Sequence, residues 1–449
     1  MNKTVVIDVV GLSKSIIGDH TPFLKKYIES KNVTTIDPML PAVTTSVQST
    51  YVTGKWPSDH GIVGNGWYDR EDCEVKFWKQ SNKLVQGEKI WEKAKKMDPK
   101  FTCAKMFWWY NMYSAADFAV TPRPNYLADG RKIPDCYSQP AELRDELQNK
   151  LGQFPLFQFW GPGANIQSTK WIADASMYVD EKYDPTLSLI YLPHLDYCLQ
   201  KFGPDFSKIS KELHEIDDVL ESLINYFEKK NTKIIILSEY GINPVSGPIH
   251  INRYLREKGL LGIRTERGLE LLDAGASKAF AVADHQVAHV YINDVSETRN
   301  VKNLLENIPG IKLILDKAAQ KKYHIDHGRS GDFVLMADPD KWFTYYFWLD
   351  DAKAPDYARA VDIHKKPGFD PVEMFMTSKL RAGYKLLRKK SGLRYVMDVI
   401  SLDATLIKGS HGNIMSPSEF HPIIISDDLI EGTIKATDVE SIIWNHLIG

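Results

Sequence analysis

The chain has 449 residues, of which 43% are hydrophobic and 25% are charged, an ordinary composition for a globular protein. With 56 basic and 58 acidic residues its formal net charge is −2, so no overall basic field favours a nucleic acid polymer or a membrane as a partner. The four cysteines are widely spaced and form no CxxC pair. This spacing excludes a thiolate zinc site and makes a reducing cytoplasm the expected location.

The first predicted element is a strand at residues 4–10 (TVVIDVV), where β-branched residues run almost without interruption around Asp8. Such a run is typical of a strand that is buried on both faces of a parallel sheet. The apolar stretch is too short to span a bilayer and lacks the basic flank of a signal peptide. A helix at residues 22–28, opened by a proline, and a second strand at residues 33–36 are predicted next.

A strand, a helix and another strand are predicted between residues 187 and 237. The apolar runs LSLIYL at 187–192 and KIIIL at 233–237 predict the two strands. The helix between them is amphipathic, with apolar residues at steps of three and four: Ile209, Leu213, Ile216, Leu220, Leu223 and Phe227. Such units predict the α/β class, with a doubly wound, mostly parallel sheet flanked by helices.

Two long segments, 66–180 and 245–400, fit this sheet less well. We expect them to be insertions that form a cap or pocket walls over the carboxyl edge of the sheet. The aromatic run at 107–110 (FWWY) is expected to pack in the core, with stacking on a nucleobase as the alternative. The basic run Lys385–Arg394 is expected to be a solvated helix face.

Four polar side chains are expected at the carboxyl edge of the sheet. Asp8 ends the first strand, and Asp196 and Glu239 follow the two later strands. Thr44 opens a short helix predicted over residues 44–53, which we expect at the surface with its amino end free to bind a phosphate. Each residue alone would more often be a turn former or a helix cap. Together they indicate divalent metals and an anionic substrate.

Five short motifs occur in a fixed order along the chain: PAVTTSVQSTYVTG at 41–54, PSDHGIVGNGWYD at 57–69, LPHLD at 192–196, LSEYG at 237–241 and GSHG at 409–412. The first two resemble the nucleophile region of the type I phosphodiesterase/nucleotide pyrophosphatase family, and the later ones follow in the family's order. That family belongs to the alkaline phosphatase superfamily, in which phosphonoacetate hydrolases share the pattern.

The resemblance implies a single alkaline-phosphatase-like catalytic domain over residues 1–449. It also implies two divalent metal ions, usually zinc, bridged by a nucleophilic hydroxyl. Thr44 would be the nucleophile that becomes phosphorylated, since a Lewis acid can activate its otherwise poorly nucleophilic hydroxyl. Asn65 would donate a hydrogen bond to a phosphoryl oxygen. The implied metal ligands are Asp8, Thr44 and Glu239 for one ion, and Asp196 and His411 for the other.

The sequence departs from the family's pattern at three positions. Gln200 stands where the family has a histidine, and Glu239-Tyr240 stands where it has Asp-His. Two imidazole ligands are therefore missing. Two divalent ions, zinc first, remain the prediction. Manganese or magnesium is the alternative, because oxygen-rich ligand sets favour those ions.

Histidines of the later insertion could replace the missing ligands. Asp362 and His364 are the preferred recruits, because their i, i+2 spacing suits ligation and a predicted tight turn follows them. His285 and His327 rank behind. His285 and His289 are expected on one face of a strand, where a buried, hydrogen-bonded pair is the alternative to a metal role.

We therefore predict a metal-dependent hydrolase of phosphate diesters or pyrophosphates that acts through a phosphothreonine at Thr44. Its substrate would be a nucleotide or another small phosphorylated molecule. One alternative is a phosphonate hydrolase or phosphoryl-transfer enzyme of the same superfamily. Another is a non-catalytic descendant that binds a phosphorylated ligand, which Gln200 and Tyr240 motivate.

Overall fold

A computed structural model describes residues 1–393 and 395–449. In this part of the chain a nine-stranded sheet forms the centre of the fold. Its strands, in spatial order, are Ile434–Lys435, Asn32–Asp37, Ile423–Ser426, Lys233–Leu237, Thr4–Val9, Leu187–Leu192, Cys103–Met106, Phe118–Pro122 and Cys136–Gln139. The strand Thr4–Val9 is central and pairs in parallel with both of its neighbours.

Most of the sheet is parallel, as the strand–helix–strand pattern predicts. Among the described strands, Ile423–Ser426 and Cys136–Gln139 run against the others. Helices cover both faces of the sheet, with Thr44–Thr53 and Asp438–Ile448 on one face and Ile166–Tyr183 and Phe206–Lys229 on the other. The described α-helices are Pro22–Tyr27, Thr44–Thr53, Pro57–His60, Ile90–Met97, Glu142–Leu151, Leu156–Phe159, Ile166–Tyr183, His194–Phe202, Phe206–Lys229, Ile251–Glu257, Thr298–Glu306, Lys317–Lys322, Lys379–Lys390 and Asp438–Ile448.

The central strand is buried on both faces because its side chains alternate between two apolar cores. Val5, Ile7 and Val9 pack into one core, together with the long helix Phe206–Lys229. Val6 packs into the other core with the helix Thr44–Thr53. Asp8 has the same parity as Val6, so its carboxylate points towards the Thr44 helix.

The remaining strands lie outside the main sheet. Ala279–Asp284, Val287–Ile292, Phe333–Ala337 and Ile311–Leu315 form a four-stranded antiparallel sheet within the 245–400 segment. Shorter ribbons contain Gly66–Asp69, Glu74–Phe77, Asn125–Tyr126, Lys132–Ile133, Asn243–Pro244, Gly247–Ile249, Ile263–Glu266, Leu269–Leu272, Lys341–Phe343 and Gly409–Ser410. The four-stranded sheet contacts the ribbon strand Gly66–Asp69 through Ala279–Asp284.

The expectation that 66–180 is entirely a cap insertion is wrong. Cys103–Met106, Phe118–Pro122 and Cys136–Gln139 extend the main sheet by three strands on one side. Their short length and the aromatic, proline-rich connections around them hide the strand pattern in the sequence.

Two local expectations are also wrong. Every residue of the Thr44 helix is buried, because the helix packs against the sheet and against Asp438–Ile448 instead of lying at the surface. His285 and His289 do not share a strand. His285 lies in the hairpin turn after Asp284, with a left-handed φ of 58°, while His289 is in the following strand.

Within residues 1–393 and 395–449, no helix has both the length and the apolar character that crossing a bilayer requires. The basic run expected at Lys385–Arg394 begins in the helix Lys379–Lys390 and is exposed through Leu393 apart from partly covered positions. Arg394 lies outside the described residues.

Candidate active site

Asp8 and Glu239, from neighbouring strands, meet at the side chain of Gln48. Asp8 lies opposite Leu237 in the parallel register, so Glu239 follows just beyond that strand's end. The Gln48 side-chain N–H groups donate to Asp8 Oδ2 at 3.2 Å and to Glu239 Oε1 at 2.5 Å. The Gln48 carbonyl accepts from the Trp109 backbone N–H at 2.7 Å, which fixes the orientation of the amide.

Thr44 is the first residue of its helix and lies one turn before Gln48. Val43 is extended, with φ −130° and ψ 151°, so the helix begins at Thr44; Gly54 ends it with φ 63°. The Thr44 hydroxyl is buried and lies 2.9 Å from the Tyr240 hydroxyl. The N–H groups of the first turn have no partner within the helix, so this end suits an anion.

Asp196 and His411 form a second pair. Asp196 lies in the first turn of the helix His194–Phe202, directly after the strand Leu187–Leu192. Gln200 Nε2, one turn later, donates to Asp196 Oδ1 at 2.8 Å, and His411 Nε2 is 3.9 Å from the same oxygen. His411 Nδ1 donates to the Ala42 carbonyl at 2.8 Å, so Nε2 of the neutral ring is an acceptor.

The Tyr240 ring connects the two pairs. It stacks on the His411 imidazole with ring centroids 3.5 Å apart and an interplanar angle of 5°. Its hydroxyl contacts Thr44 at the same time. The family's histidine at this position is thus replaced by an aromatic ring that packs against the remaining histidine.

Burial dominates the electrostatics of the site. It raises the pKa of Asp8 and of Asp196 to about 7 each. The pKa of Glu239 lies well above its usual range, because of burial first and then the charge of Asp8. Within the described part of the chain, none of these three carboxyl groups has a lysine or arginine partner. The site is therefore short of positive charge.

Burial also lowers the pKa of His411 well below its usual range, with a further contribution from His285. The imidazole stays neutral at physiological pH and cannot supply the missing positive charge. A neutral imidazole with a free Nε2 is the form that ligates metals.

Four buried atoms of the site have no hydrogen-bond partner: Asp8 Oδ1, Glu239 Oε2, Gln200 Oε1 and His411 Nε2. Buried polar atoms are normally paired, and all four are donor types for a divalent cation. Among the described residues, no three His, Cys, Asp or Glu side chains converge on one ion position. The arrangement instead consists of the pairs Asp8–Glu239 and Asp196–His411, with the oxygens of Thr44 and Gln200 beside them. These donors fit divalent cations in type, and three of the four unpartnered atoms are oxygens.

Asn65 lies beside the amino end of the Thr44 helix. Its Oδ1 accepts from the Thr45 backbone N–H at 3.1 Å. Its own backbone N–H and side-chain amide donate to the two Asp284 oxygens at 2.7 and 3.1 Å. One side-chain N–H of Asn65 is left to donate to a ligand. Asp284 thereby fixes the orientation of Asn65 from the antiparallel sheet of the insertion.

Aromatic rings from the 245–400 segment cover the histidine side of the site. His285 contacts His411 with ring centroids 3.8 Å apart, and Phe369 stacks on His285 at 3.6 Å. His285 Nδ1 is 2.8 Å from Asp284 Oδ1, so the same aspartate positions both Asn65 and His285.

The structure brings Asp8, Thr44, Asn65, Asp196, Glu239 and His411 together but places the other predicted residues elsewhere. His364 is exposed, and its Nδ1 is 3.4 Å from the Phe77 carbonyl. Asp362 pairs with Lys365, and His327 lies beside Gln86. In the described residues none of these three shows a bond to the carboxylate pairs. No contact among the described residues supports the metal role predicted for His364.

Sequence reasoning missed two residues that organise the site. Gln48 lies four residues after Thr44, hence on the same helix face, and this spacing could have identified it. Asp284 ends an apolar strand, the same signal that identified Asp8 in the sequence. The aromatic run at 107–110 packs in the cores, as expected: all four side chains are buried, and Trp109 also packs on Trp78 with ring centroids 4.8 Å apart.

The main sheet gathers three carboxyl groups and a helix-opening threonine at its carboxyl edge. This is the architecture of an alkaline-phosphatase-like protein. The chain belongs to the type I phosphodiesterase / nucleotide pyrophosphatase family, which it matches over residues 4–370. That family consists of phosphoric ester hydrolases.

Curated relatives are similar over part of their length. An uncharacterised pyrophosphatase/phosphodiesterase of Schizosaccharomyces pombe is 27% identical over 219 residues, covering 46% of this chain and 38% of the relative. Ectonucleotide pyrophosphatase/phosphodiesterase 1 of Saccharomyces cerevisiae is 25% identical over 272 residues, covering 55% and 35%. The chain thus matches between a third and two fifths of the length of these relatives.

Solved structures share the fold over the whole chain. Murine ectonucleotide pyrophosphatase/phosphodiesterase 5 matches with a TM-score of 0.60 and 15% identity, covering 99% of this chain and 95% of that one. Phosphonoacetate hydrolase from Sinorhizobium meliloti, in complex with phosphonoacetate, matches with a TM-score of 0.63 and 13% identity, covering 99% and 96%. The alkaline-phosphatase-like fold expected from the sequence is confirmed.

Proposed function

We propose that this protein hydrolyses phosphate diesters or pyrophosphates of a nucleotide or another small phosphorylated substrate, through a phosphothreonine intermediate at Thr44. The observation that carries the proposal is the position of the buried Thr44 hydroxyl at the amino end of its helix. Thr44 contacts Tyr240, which stacks on His411, and one turn later Gln48 joins Asp8 to Glu239. Family membership supports the reaction class.

In this proposal the chain's own residues hold the phosphoryl group and the nucleophile. The N–H groups at the start of the Thr44 helix, apart from that of Thr45, which donates to Asn65, donate to phosphoryl oxygens as negative charge develops there. The free side-chain N–H of Asn65 donates to the same group. Tyr240 orients the Thr44 hydroxyl. Burial holds the pKa of Tyr240 well above its usual range, so its phenol stays protonated and acts as a donor, not as a base.

We propose two divalent cations, one held by Asp8, Glu239 and Thr44 and the other by Asp196, Gln200 and His411. When bound, the cations would lower the pKa of the Thr44 hydroxyl and neutralise charge on the phosphoryl oxygens. Because three of the four unpartnered donors are oxygens, manganese and magnesium are better matched to this site than zinc.

The non-catalytic alternative also has support in particular contacts. The Gln200 amide donates to Asp196 and the Tyr240 hydroxyl contacts Thr44. Hydrogen bonds from protein groups thus occupy atoms that metals would otherwise contact. A site of this kind would bind a phosphorylated ligand without turning it over.

Purified protein incubated with Mn²⁺, Mg²⁺ or Zn²⁺ tests both candidates. Release of p-nitrophenol from bis-p-nitrophenyl phosphate, exceeding that from the monoester, would support the proposed hydrolase. A metal-induced rise in Tm without turnover, together with calorimetric binding of AMP, would favour the non-catalytic candidate. A protein that neither binds these ions nor cleaves the diester would contradict the proposed reaction.

A further inference from the structure

The helix Lys379–Lys390, here called the basic helix, exposes a row of large apolar side chains. Leu380 is 87% exposed, Tyr384 is 55% exposed and Leu387 is 65% exposed. Their spacing of four and three residues places all three on one face. A single exposed leucine is common on protein surfaces, but a continuous row along one helix face is not.

The same helix carries an unusual concentration of positive charge. Six of its twelve residues are lysine or arginine and none is acidic, although the whole chain has a net charge of −2. At 3.6 residues per turn, Lys379 and Lys390 border the apolar row on one side. Arg381 and Arg388 border it on the other.

The opposite face of the basic helix attaches it to the protein. Ala382 is buried in a small cluster with Val399 and Ile400, separate from the main cores. Lys385 pairs with Asp398 at 2.6 Å, and Arg381 pairs with the same carboxylate. These contacts orient the helix so that the apolar row faces outwards.

We propose that the basic helix docks the protein on an anionic lipid surface. An interfacial helix of this type buries its apolar row at the boundary of headgroups and acyl chains, while the bordering Lys379 and Lys390 contact anionic headgroups.

The charge and the apolar row together favour an anionic lipid surface over a second copy of the chain or a nucleic acid. A second copy would bring two positively charged helices together, since each carries six basic residues, of which Asp398 pairs with two. This repulsion opposes self-association through the exposed face. A nucleic acid would neutralise the lysines and arginines but would leave the leucine row in water. An anionic lipid surface satisfies both features, and this inference does not depend on the proposed hydrolase activity.

Co-sedimentation of the full chain with vesicles tests the proposal. We expect binding to phosphatidylcholine vesicles that contain phosphatidylserine to exceed binding to pure phosphatidylcholine by about tenfold or more, and to weaken as salt is raised. The double variant Leu380→Glu/Leu387→Glu should lose this binding. Leu429→Glu, at a leucine that is 75% exposed elsewhere on the surface, is the matched control and should bind like the wild type.

Four results would overturn the proposal. One is equal binding to the two kinds of vesicle. Another is vesicle binding that survives Leu380→Glu/Leu387→Glu while circular dichroism shows a folded protein. The third is a dimer in sedimentation velocity that the double variant dissociates, since the face would then be an interface between copies. Retention on heparin that the double variant leaves unchanged, without vesicle binding, would likewise replace the lipid surface by a soluble polyanion.

Discussion

The carboxyl edge of the main sheet and the hairpin residues Asp284 and His285, here called the wall, contribute to the same site in different ways. The edge supplies Asp8, Asp196 and Glu239, each at or just beyond the end of its strand. The wall supplies Asp284 and His285, which hold Asn65 and pack on His411. We infer that the edge carries the chemistry and that the wall sets the geometry.

Replacing the nucleophile should have the largest effect. Thr44→Ala is expected to lower diesterase activity by about 10³-fold or more, because no other group at that position can accept the phosphoryl group. Thr44→Ser should keep part of the activity. Steady-state kinetics on bis-p-nitrophenyl phosphate, with Tm as a check on folding, measures the effect.

The neighbouring threonine is the matched control. Thr45 Oγ1 donates to the Gly64 carbonyl at 2.9 Å, so Thr45→Ala should affect Tm more than turnover. Activity of Thr44→Ala within about tenfold of the wild type would disprove the nucleophile assignment.

The edge and the wall can be compared directly through Asn65 and Asp284. Asn65→Ala should remove about 2–4 kcal/mol of transition-state stabilisation, because a donor to the developing charge is lost. Asp284→Asn should act through the orientation of Asn65, lowering kcat by a smaller factor of about tenfold with little change in KM.

A loss in Asn65→Ala that is confined to KM would mean that this residue binds only the ground state. If Asp284→Asn lowered kcat as much as Asn65→Ala, the inference that the wall only sets the geometry of the site would be wrong.

Metal content separates the histidines. His411→Ala should lower metal content and activity together, with a loss of metal affinity of about tenfold or more, since its Nε2 is a free buried donor. The predicted recruitment of His364 requires the same double loss in His364→Ala. Elemental analysis of the purified variants, with His214→Ala as an exposed control, decides the matter.

A His364→Ala variant that is silent in both assays would disprove the recruitment. A His285→Ala variant that loses metal would move the missing ligand to the ring that packs on His411.

The stability of the fold around the Thr44 helix should depend on pH through His60. Ile62 N–H donates to His60 Nδ1 at 3.1 Å, and His60 Nε2 lies 2.9 Å from Thr50 Oγ1, an arrangement of the neutral ring. Burial lowers the pKa of His60 to about 3, below the ordinary value near 6.5. The unfolded state therefore binds more protons between these values, and stability is lost as pH falls from about 6.5 towards 3.

The Tm of the wild type should accordingly fall more steeply below pH 6.5 than the Tm of His60→Gln, as thermal unfolding in a pH series would show. His214→Gln, at an exposed histidine, should follow the wild type. Parallel slopes for the wild type and His60→Gln would refute this role of His60.

Local sequence patterns predicted four strands of the nine-stranded sheet and the polar residues at its carboxyl edge. Three elements occupy the residues predicted for them: the strands at 187–192 and 233–237 and the helix Thr44–Thr53. Their positions depend on the spacing of apolar residues and on the turn residues next to them, which are all local features of the sequence. Strand ends identified Asp8, Asp196 and Glu239, since parallel strands gather their carboxyl ends at one edge. The motif order identified the family.

Contacts between distant segments were decided only by the tertiary structure. Asp284 contacts Asn65 across 219 positions of the sequence, and Gln48 contacts Glu239 across 191. The spacing of residues within one helix or strand cannot predict contacts between segments so far apart. The burial of the Thr44 helix depends on packing against Asp438–Ile448. The outward direction of Leu380 and Leu387 depends on which face Ala382 and Asp398 attach to the protein. Composition averages over the chain, so a net charge of −2 does not reveal that one helix gathers only positive charge on the surface.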